Sequence, residues 1–271
     1  MKSYAIFDQG LERDMAIGYL FYYEKSMSFI IELCRDLDEW DAPLLFQKLV
    51  REGQFTVPRA ISLMWVKERI IPSGRQNIGS ILRHYKLKEY SEIAMLELSK
   101  GRSSQDECYI KEIKEEDIPK QIKDRMNQNL WECFPTEEHH LVCLFKDNLV
   151  KKVDLDMMAR EYKELSHVLQ NQALLDSLKI GPGGYSIVFN DSIELQASDL
   201  RNFAIDLPVV AADFYYFACR NIVDATKTCD ILQCTRQNLS YLVKEEKLKP
   251  ILHATKEKLY LKGEAECLGS D

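Results

Sequence analysis

Residues 224–251 read DATKTCDILQCTRQNLSYLVKEEKLKPI, and this stretch carries the clearest structural signal of the chain. Apolar residues at helical spacing predict two short helices joined by a brief link, the first ending near Leu232 and the second following Thr235. Thr235 occupies an N-cap position, where its hydroxyl oxygen accepts a hydrogen bond from an amide of the new helix. The inner face of the second helix is formed by Leu239, Leu242 and Val243.

The first turn of the second predicted helix carries Arg236, Gln237 and Asn238. In a helix-turn-helix this turn enters the major groove of DNA, where Arg pairs with guanine and Gln or Asn with adenine. The same side chains also hold phosphate at a helix N-terminus. The alternative is a fold of this kind used only for packing or protein contact. The predicted DNA-contacting residues are Thr235, Arg236, Gln237, Asn238, Ser240, Tyr241, Lys244, Lys256 and Lys258.

Four features follow one another along this stretch: Thr235-Arg236-Gln237, Leu242-Val243, Lys247-Leu248 and Pro250. Their order resembles the excisionase and MerR-like helix-turn-helix family. The resemblance implies a β-hairpin wing after the second helix, which here falls within residues 251–262. That family usually has Gly at the turn between the helices, where this chain has Gln233, so either Gln233 adopts a positive φ or the turn differs.

The charge of this region differs from that of the whole chain. Residues 220–262 hold nine Lys and Arg against five Asp and Glu, whereas the 271 residues together have a formal net charge of −7. A uniformly basic surface is therefore excluded, and any contact with nucleic acid must come from a local patch. Hydrophobic residues make up 46% and charged residues 29%, which is typical of a folded protein and excludes collagen-like or generally disordered chains.

The location of the protein is predicted from its apolar runs and its cysteines. No window approaches the roughly 18 uncharged apolar residues of a membrane span, and the N-terminus MKSYAIFDQGLERD becomes charged before a signal-peptide core. The eight Cys contain no CxxC pair, which predicts reduced thiols packed as small apolar side chains. We expect a cytoplasmic protein with no membrane partner.

The middle of the chain predicts two hairpins. The apolar runs 141–145 and 149–153 flank one polar turn, and the runs 185–189 and 192–195 flank another at Asn190 and Asp191. A short helix is predicted near residues 168–178, and Ser198 is placed to cap a closing helix. These elements indicate a small α+β domain with an antiparallel sheet.

Three tracts of this region carry a second resemblance. They are LVCLFKDNLVKKVDL, VLQNQALLDSLKI and GGYSIVFNDSIELQASDLRNFA. Their succession looks like the small bacterial domain of unknown function 2442. The resemblance implies a hairpin, a strand ending in Asp, and a closing tract of strand, turn and helix. Because that family carries no established chemistry, it implies a fold and no activity.

Residues 1–125 predict a mostly helical domain. Apolar stripes at helical spacing begin near Leu44, Ile61, Ile78 and Ile93, with Gly53 placed to end the first helix. The apolar run 16–23 fits either a strand or a buried helical turn. Residues 69–113 faintly resemble the segment that precedes the kinase fold in HipA-type toxin proteins, but no phosphate loop or catalytic tract follows, so no phosphoryl transfer is predicted.

A short string occurs twice in the chain. Arg75-Gln76-Asn77-Ile78 echoes Arg236-Gln237-Asn238-Leu239, and Lys-Leu-Lys follows each string at the same distance. The echo indicates either a second DNA-reading helix or a chance similarity between two amphipathic helices, and one repeat of this length favours chance.

No catalytic or metal site is predicted. The cluster of ligand-type residues is Cys133, His139, His140 and Cys143, but Cys143 falls among the apolar residues of a predicted strand and fits a buried thiol better than a zinc ligand. No spacing indicates a nucleophilic triad. We therefore expect neither enzyme activity nor a metal or other cofactor.

The sequence thus predicts an α+β protein of three domains: a mostly helical one (1–125), a small antiparallel-sheet one (139–206), and a helix-turn-helix with a β-wing (207–271). The expected function is that of a bacterial DNA-binding protein that regulates transcription of its own locus or of a mobile element. A homodimer is expected because such modules usually bind DNA in pairs. The alternatives are an antitoxin-like accessory protein, which binds a protein partner through its N-terminal helices, and a hydrolase with a site assembled across domains.

Overall fold

The structure, a computed structural model, describes residues 1–11, 15–136, 138–207, 211–253 and 257–270. They group into two compact units, Met1–Ile122 and Lys123–Asp271. Both units combine helices with small antiparallel sheets, as the α+β prediction requires. No helix in the described ranges has the length and apolar character needed to cross a membrane.

The first unit is built on a five-stranded antiparallel sheet. Its strands are β1 (Lys2–Asp8), β2 (Gly18–Tyr23), β3 (Ser28–Leu33), β4 (Thr56–Val57) and β5 (Cys108–Ile113). They lie in the order β4-β3-β2-β1-β5, with every neighbouring pair antiparallel. The helices of this unit are α1 (Leu44–Arg51), α2 (Arg59–Lys67), α3 (Ile78–His84) and α4 (Glu92–Ser99).

The prediction of a mostly helical N-terminal domain is wrong. Its four helices are present, and Gly53 follows the first of them with φ 72°, but the sheet was missed. Every residue of β2 and β3 is buried, so these strands lack the alternation of apolar and polar residues that marks a half-buried strand. The ambiguous run 16–23 is a strand over Gly18–Tyr23.

The core of the first unit joins one face of the sheet to its helices. Phe46 of α1 and Trp65 of α2 stack with their ring centroids 6.3 Å apart. The guanidinium of Arg69 lies 3.7 Å from the centre of the Trp65 ring and forms an ion pair with Asp106. The buried cation is thus paired, which a group of this kind requires.

The second unit contains three further antiparallel sheets. Their strands are β6 (Leu130–Pro135), β7 (His140–Phe145), β8 (Val150–Asp154), β9 (Lys179–Ile180), β10 (Ser186–Phe189), β11 (Ile193–Gln196), β12 (Ile205–Asp206), β13 (Ile222–Asp224), β14 (Leu252–His253) and β15 (Lys258–Leu261). The strand orders are β12-β8-β7-β6, β11-β10-β9 and β13-β15-β14.

The remaining helices lie between residues 120 and 270. They are α5 (Lys120–Met126), α6 (Leu155–Met158), α7 (Leu165–Leu169), α8 (Gln172–Asp176), α9 (Ala197–Phe203), α10 (Ala211–Asn221), α11 (Ala225–Leu232), α12 (Arg236–Lys244) and α13 (Lys262–Ser270).

Both predicted hairpins of the middle region are confirmed. Strands β7 and β8 pair in register, and so do β10 and β11, whose turn holds Asn190 and Asp191 at φ 47° and 55°. Those two residue types tolerate the left-handed region, and the connection includes Ser192 as a third residue because Phe189 pairs with Ile193. The prediction that Ser198 caps the closing helix is wrong, because β11 runs straight into α9 at Ala197.

Among its described residues, the second unit contains hydrophobic clusters that stabilise it. One joins the sheets and helices of residues 130–200, with Leu165, Val168 and Ile187 fully buried. Another holds the C-terminal segment together and consists of Val223, Leu232, Leu239, Leu248, Tyr260 and Ala265. The division of the chain into three domains stays a prediction.

Candidate functional site

Helices α11 and α12 are joined by a link whose hydrogen bonds fix both helix ends. Asp224 caps α11 by accepting the amide of Lys227 at 2.8 Å. The helix ends at Gln233, which has φ 51° and ψ 43°, and the following amide of Cys234 donates to the carbonyl of Cys229 at 3.0 Å. Gln233 therefore takes the left-handed conformation that Gly usually supplies, as one of the two sequence interpretations required.

Thr235 is the N-cap of α12, as predicted. Its hydroxyl oxygen accepts the amide of Asn238 at 3.3 Å, so Arg236, Gln237 and Asn238 form the first turn of the helix. All three side chains are exposed, whereas Leu239 is 3% exposed and points into the C-terminal cluster. The polar residues of this turn face solvent, and Leu239 holds the helix against the core.

The other predicted contact residues that the structure describes are exposed too. They are Ser240, Tyr241, Lys244 and Lys258. The remaining member of the set, Lys256, lies outside the described residues. The hydroxyl of Ser240 donates to the carbonyl of Arg236 at 3.0 Å, so its one proton is used within α12. Such a hydroxyl contacts a phosphate only by exchanging that bond.

Arg236 borders a cleft of about 370 Å³ between the start of α11, the first turns of α12 and β15. Its guanidinium Nη2 donates to the hydroxyl of Thr226 at 2.9 Å. Lys258 adds a second cation to the cleft, and Asp224 and Glu257 add carboxylates. Because the Asp224 carboxylate is occupied as a helix cap, Glu257 is the carboxylate of this lining without such a role.

The C-terminal sheet flanks this cleft. Strand β15 pairs with β13 on one side and β14 on the other, with Val223 opposite Tyr260 and Lys258 opposite His253. Tyr260 is 2% exposed and packs in the same cluster as Leu239. The exposed Lys258 and the exposed first turn of α12 are therefore supported by one core.

Two hydrogen-bonding residues of the cleft, Asp224 and Thr226, were missed by sequence reasoning. Asp224 could have been found, since Asp three residues before an amide at a helix start is an N-cap signature. Thr226 left no such signal, because its bond to Arg236 depends on how α11 packs against α12.

The ligand-type residues of the middle region do not form a metal site. Cys133 and Cys143 lie opposite each other on β6 and β7, with their sulfur atoms 3.4 Å apart and both side chains buried. Burial raises the pKa of Cys133 well above its usual value. His139 faces Asp156 instead, at 3.2 Å. Within the described parts of the chain, no three His, Cys, Asp or Glu side chains come close enough to hold a metal ion.

A buried carboxyl group lies where α13 packs on β6. Glu132 is 4% exposed, and its Oε1 accepts the amide of Cys133 at 3.0 Å. Burial raises the pKa of Glu132 to about 7, an effect that Glu266 increases and Lys262 opposes. A Cβ at Gly263 would lie 2.4 Å from Oε2, so the glycine allows this close approach.

Comparison with known proteins gives no match of any kind: no protein-family model, no curated protein and no solved structure is similar to the chain.

Proposed function

We propose that the protein binds double-stranded DNA through α11 and α12, which form a helix-turn-helix with β14 and β15 as its wing, and that it regulates transcription of its own locus or of a mobile element. The observation that carries the proposal is the capped first turn of α12. Three side chains that pair with base edges are exposed there on a helix that Leu239 anchors.

The charge of the C-terminal segment supports this proposal. Its excess of Lys and Arg contrasts with the acidic chain as a whole, so the local field attracts a polyanion to this surface. The Arg236 guanidinium leaves Thr226 when it pairs with a base, exchanging a single hydrogen bond to a hydroxyl for a bidentate pair of hydrogen bonds. Its resting bond keeps the side chain near the position from which it acts.

The test is selection of bound sequences from a random duplex library, followed by affinity measurements on the selected duplex and a scrambled one. We expect the selected duplex to bind more tightly. Arg236→Ala should lose about tenfold or more of that preference, the value of one good base contact. A selected sequence with two-fold symmetry would indicate the expected homodimer.

Arg220→Ala is the matched control. Arg220 is an exposed Arg of α10 that pairs with Asp176 at 3.2 Å, so its loss changes the net charge equally without touching α12. The proposal fails if no sequence is enriched, or if the two variants weaken binding to the same extent.

A protein partner is the second candidate, and exposed apolar residues of the first unit favour it. Leu44, the first residue of α1, is 84% exposed, and Trp40, four residues earlier, is 83% exposed. Large apolar side chains at this level of exposure mark interaction sites when they lie together. If Trp40→Ala with Leu44→Ala abolishes capture of one defined partner while DNA selection stays negative, the antitoxin-like alternative replaces the regulator.

A further inference from the structure

Residues 72–88 form a projection of the first unit that we call the basic arm. No residue between 70 and 92 is buried, including all of α3. The hydroxyl of Tyr90 donates to the carbonyl of Ile71 at 2.8 Å and closes the base of the arm. The arm is therefore a closed excursion of the chain, tied at its ends and open to solvent along its length.

The charge of the basic arm has one sign. Residues 72–88 hold Arg75, Arg83, Lys86 and Lys88, all exposed, and no Asp or Glu, and the one acid before the closing Tyr90 is the exposed Glu89. Arg83 donates to the hydroxyl of Ser80 at 3.3 Å. Throughout the described ranges, no carboxylate lies within ion-pair distance of these four cations.

Several other surface cations of the same unit are paired. Lys2 lies 2.8 Å from Glu97, Arg51 lies 3.6 Å from Glu39, and Lys114 lies 3.4 Å from Glu116. The four charges of the basic arm repel one another and have no internal compensation, so a polyanion is the partner that relieves them.

The small exposed apolar surface of the basic arm distinguishes between a membrane, a protein and a nucleic acid as its partner. A membrane-binding segment needs apolar side chains that enter the headgroup region, and a protein interface needs an apolar core. The one exposed large hydrophobic residue here is Tyr85, at 49%, while Ile78, Ile81 and Leu82 are partly covered on the inner side. A duplex nucleic acid needs only cations that reach its phosphates.

We propose that the basic arm is a second nucleic-acid contact, which holds the phosphate backbone of duplex DNA without reading its sequence. The inference rests on the proposed function for its class of partner. It adds a sequence-independent site in the first unit to the reading turn of α12.

The experiment measures the salt dependence of binding of the full chain to a mixed-sequence duplex of about 24 base pairs by fluorescence anisotropy, between about 50 and 200 mM salt. Arg75, Arg83, Lys86 and Lys88 are replaced together by Gln. Because each phosphate contact contributes about 0.9 to the slope of log affinity against log salt, the magnitude of the slope should fall by roughly three to four. Circular dichroism checks the fold, which should persist because the arm buries nothing.

The matched control replaces Lys25, Lys48, Arg51 and Lys114 by Gln. These cations are exposed on the same unit and outside the basic arm, so the loss of net charge is identical. The control should keep the slope of the unsubstituted protein. An unchanged slope in the arm variant, or an equal fall in the control, overturns the inference.

Both sets are also made with Arg236→Ala and Asn238→Ala. If the proposed function fails, sequence preference is missing from every variant, yet the arm still determines the slope on mixed-sequence duplex. If the basic arm does not contact DNA, the protein keeps its sequence preference, and the four substitutions in the arm leave the salt slope unchanged. Competition by polyglutamate as strong as by duplex, or binding to phosphatidylserine vesicles in place of duplex, also rejects the assignment.

Discussion

Residues 75–78 and 236–239 share the string Arg-Gln-Asn followed by an aliphatic residue, but the two strings have different structural roles. In the second, Thr235 caps the helix, Arg236 is its first residue and Leu239 is 3% exposed. In the first, Asn77 itself occupies the cap position without a side-chain hydrogen bond, and no residue of α3 is buried.

The difference lies in what surrounds each string. Leu239 packs into a cluster with Val223, Leu232 and Tyr260, which come from three other elements. Ile78 begins α3 within a solvent-exposed segment and is only partly covered. The same local motif can thus lie at the start of a firmly packed helix in one place and of a weakly packed helix in another, because tertiary packing provides most of the stability of a short helix.

The largest predicted difference between the two strings concerns their aliphatic residues. Leu239→Ala should lower the free energy of unfolding of the second unit by about 3 kcal/mol, since it removes a buried side chain and leaves a cavity. Ile78→Ala should cost less than about 1 kcal/mol in the first unit, because Ile78 is already partly solvated. Urea denaturation followed by circular dichroism measures both values, and equal losses would contradict the comparison.

The stability of the second unit should also depend on pH, because Glu132 is buried where α13 packs on β6. Glu132 has a pKa of about 7 in the folded protein, above the ordinary 4.5, so the folded state holds its proton more tightly. Its stabilising effect is complete below pH 4.5 and is lost as pH rises to about 7, for a total of about 3 kcal/mol. Glu132→Gln should flatten this profile and be the more stable protein at pH 8.

Urea titrations at several pH values from 4.5 to 8 give the Glu132 profile. Glu161→Gln is the control, because Glu161 is an exposed carboxylate of the same unit and its loss changes the net charge equally. A profile that keeps its slope in Glu132→Gln assigns the pH dependence to another group.

A smaller effect is expected at the two cap positions. Thr235→Ala should cost about 1 kcal/mol, because the amide of Asn238 loses its acceptor. Asn77→Ala should cost only a few tenths of a kcal/mol, because its side chain makes no capping bond. Thermal unfolding measured on both variants tests this, and a larger loss in Asn77→Ala would show that α3 is the better-capped helix.

The smallest effect should come from the exposed Gln residues. Gln237→Ala and Gln76→Ala should each leave the free energy of unfolding within about 0.5 kcal/mol of the original. Gln237→Ala alone should change which duplex sequences are selected, since Gln76 lies on the arm that contacts phosphate. A change in selectivity from Gln76→Ala would instead support a second reading helix.

A feature could be predicted from the sequence when the residues that determine it are close together along the chain. Thr235 and the Asn190-Asp191 turn were readable because a cap and a hairpin turn are determined by adjacent residues. Strands β2 and β3 were not, since their complete burial follows from partners far along the chain. Burial thus removed the polar and apolar alternation by which strands are recognised.

Within the candidate site the same limit applies. The exposure of Arg236, Gln237 and Asn238 followed from helical spacing relative to Leu239. The bond from Arg236 to Thr226 and the approach of Gly263 to Glu132 depend on packing between elements, and neither has a local sequence signature.

The left-handed residue between α11 and α12 has a consequence for the residue types that its position accepts. Gln233 holds φ 51° and ψ 43°, and its side chain is exposed. Gly or Asn adopts this conformation readily, whereas a β-branched residue such as Val or Ile would be strained in it. Tolerance to substitution at this joint is therefore determined by the backbone conformation.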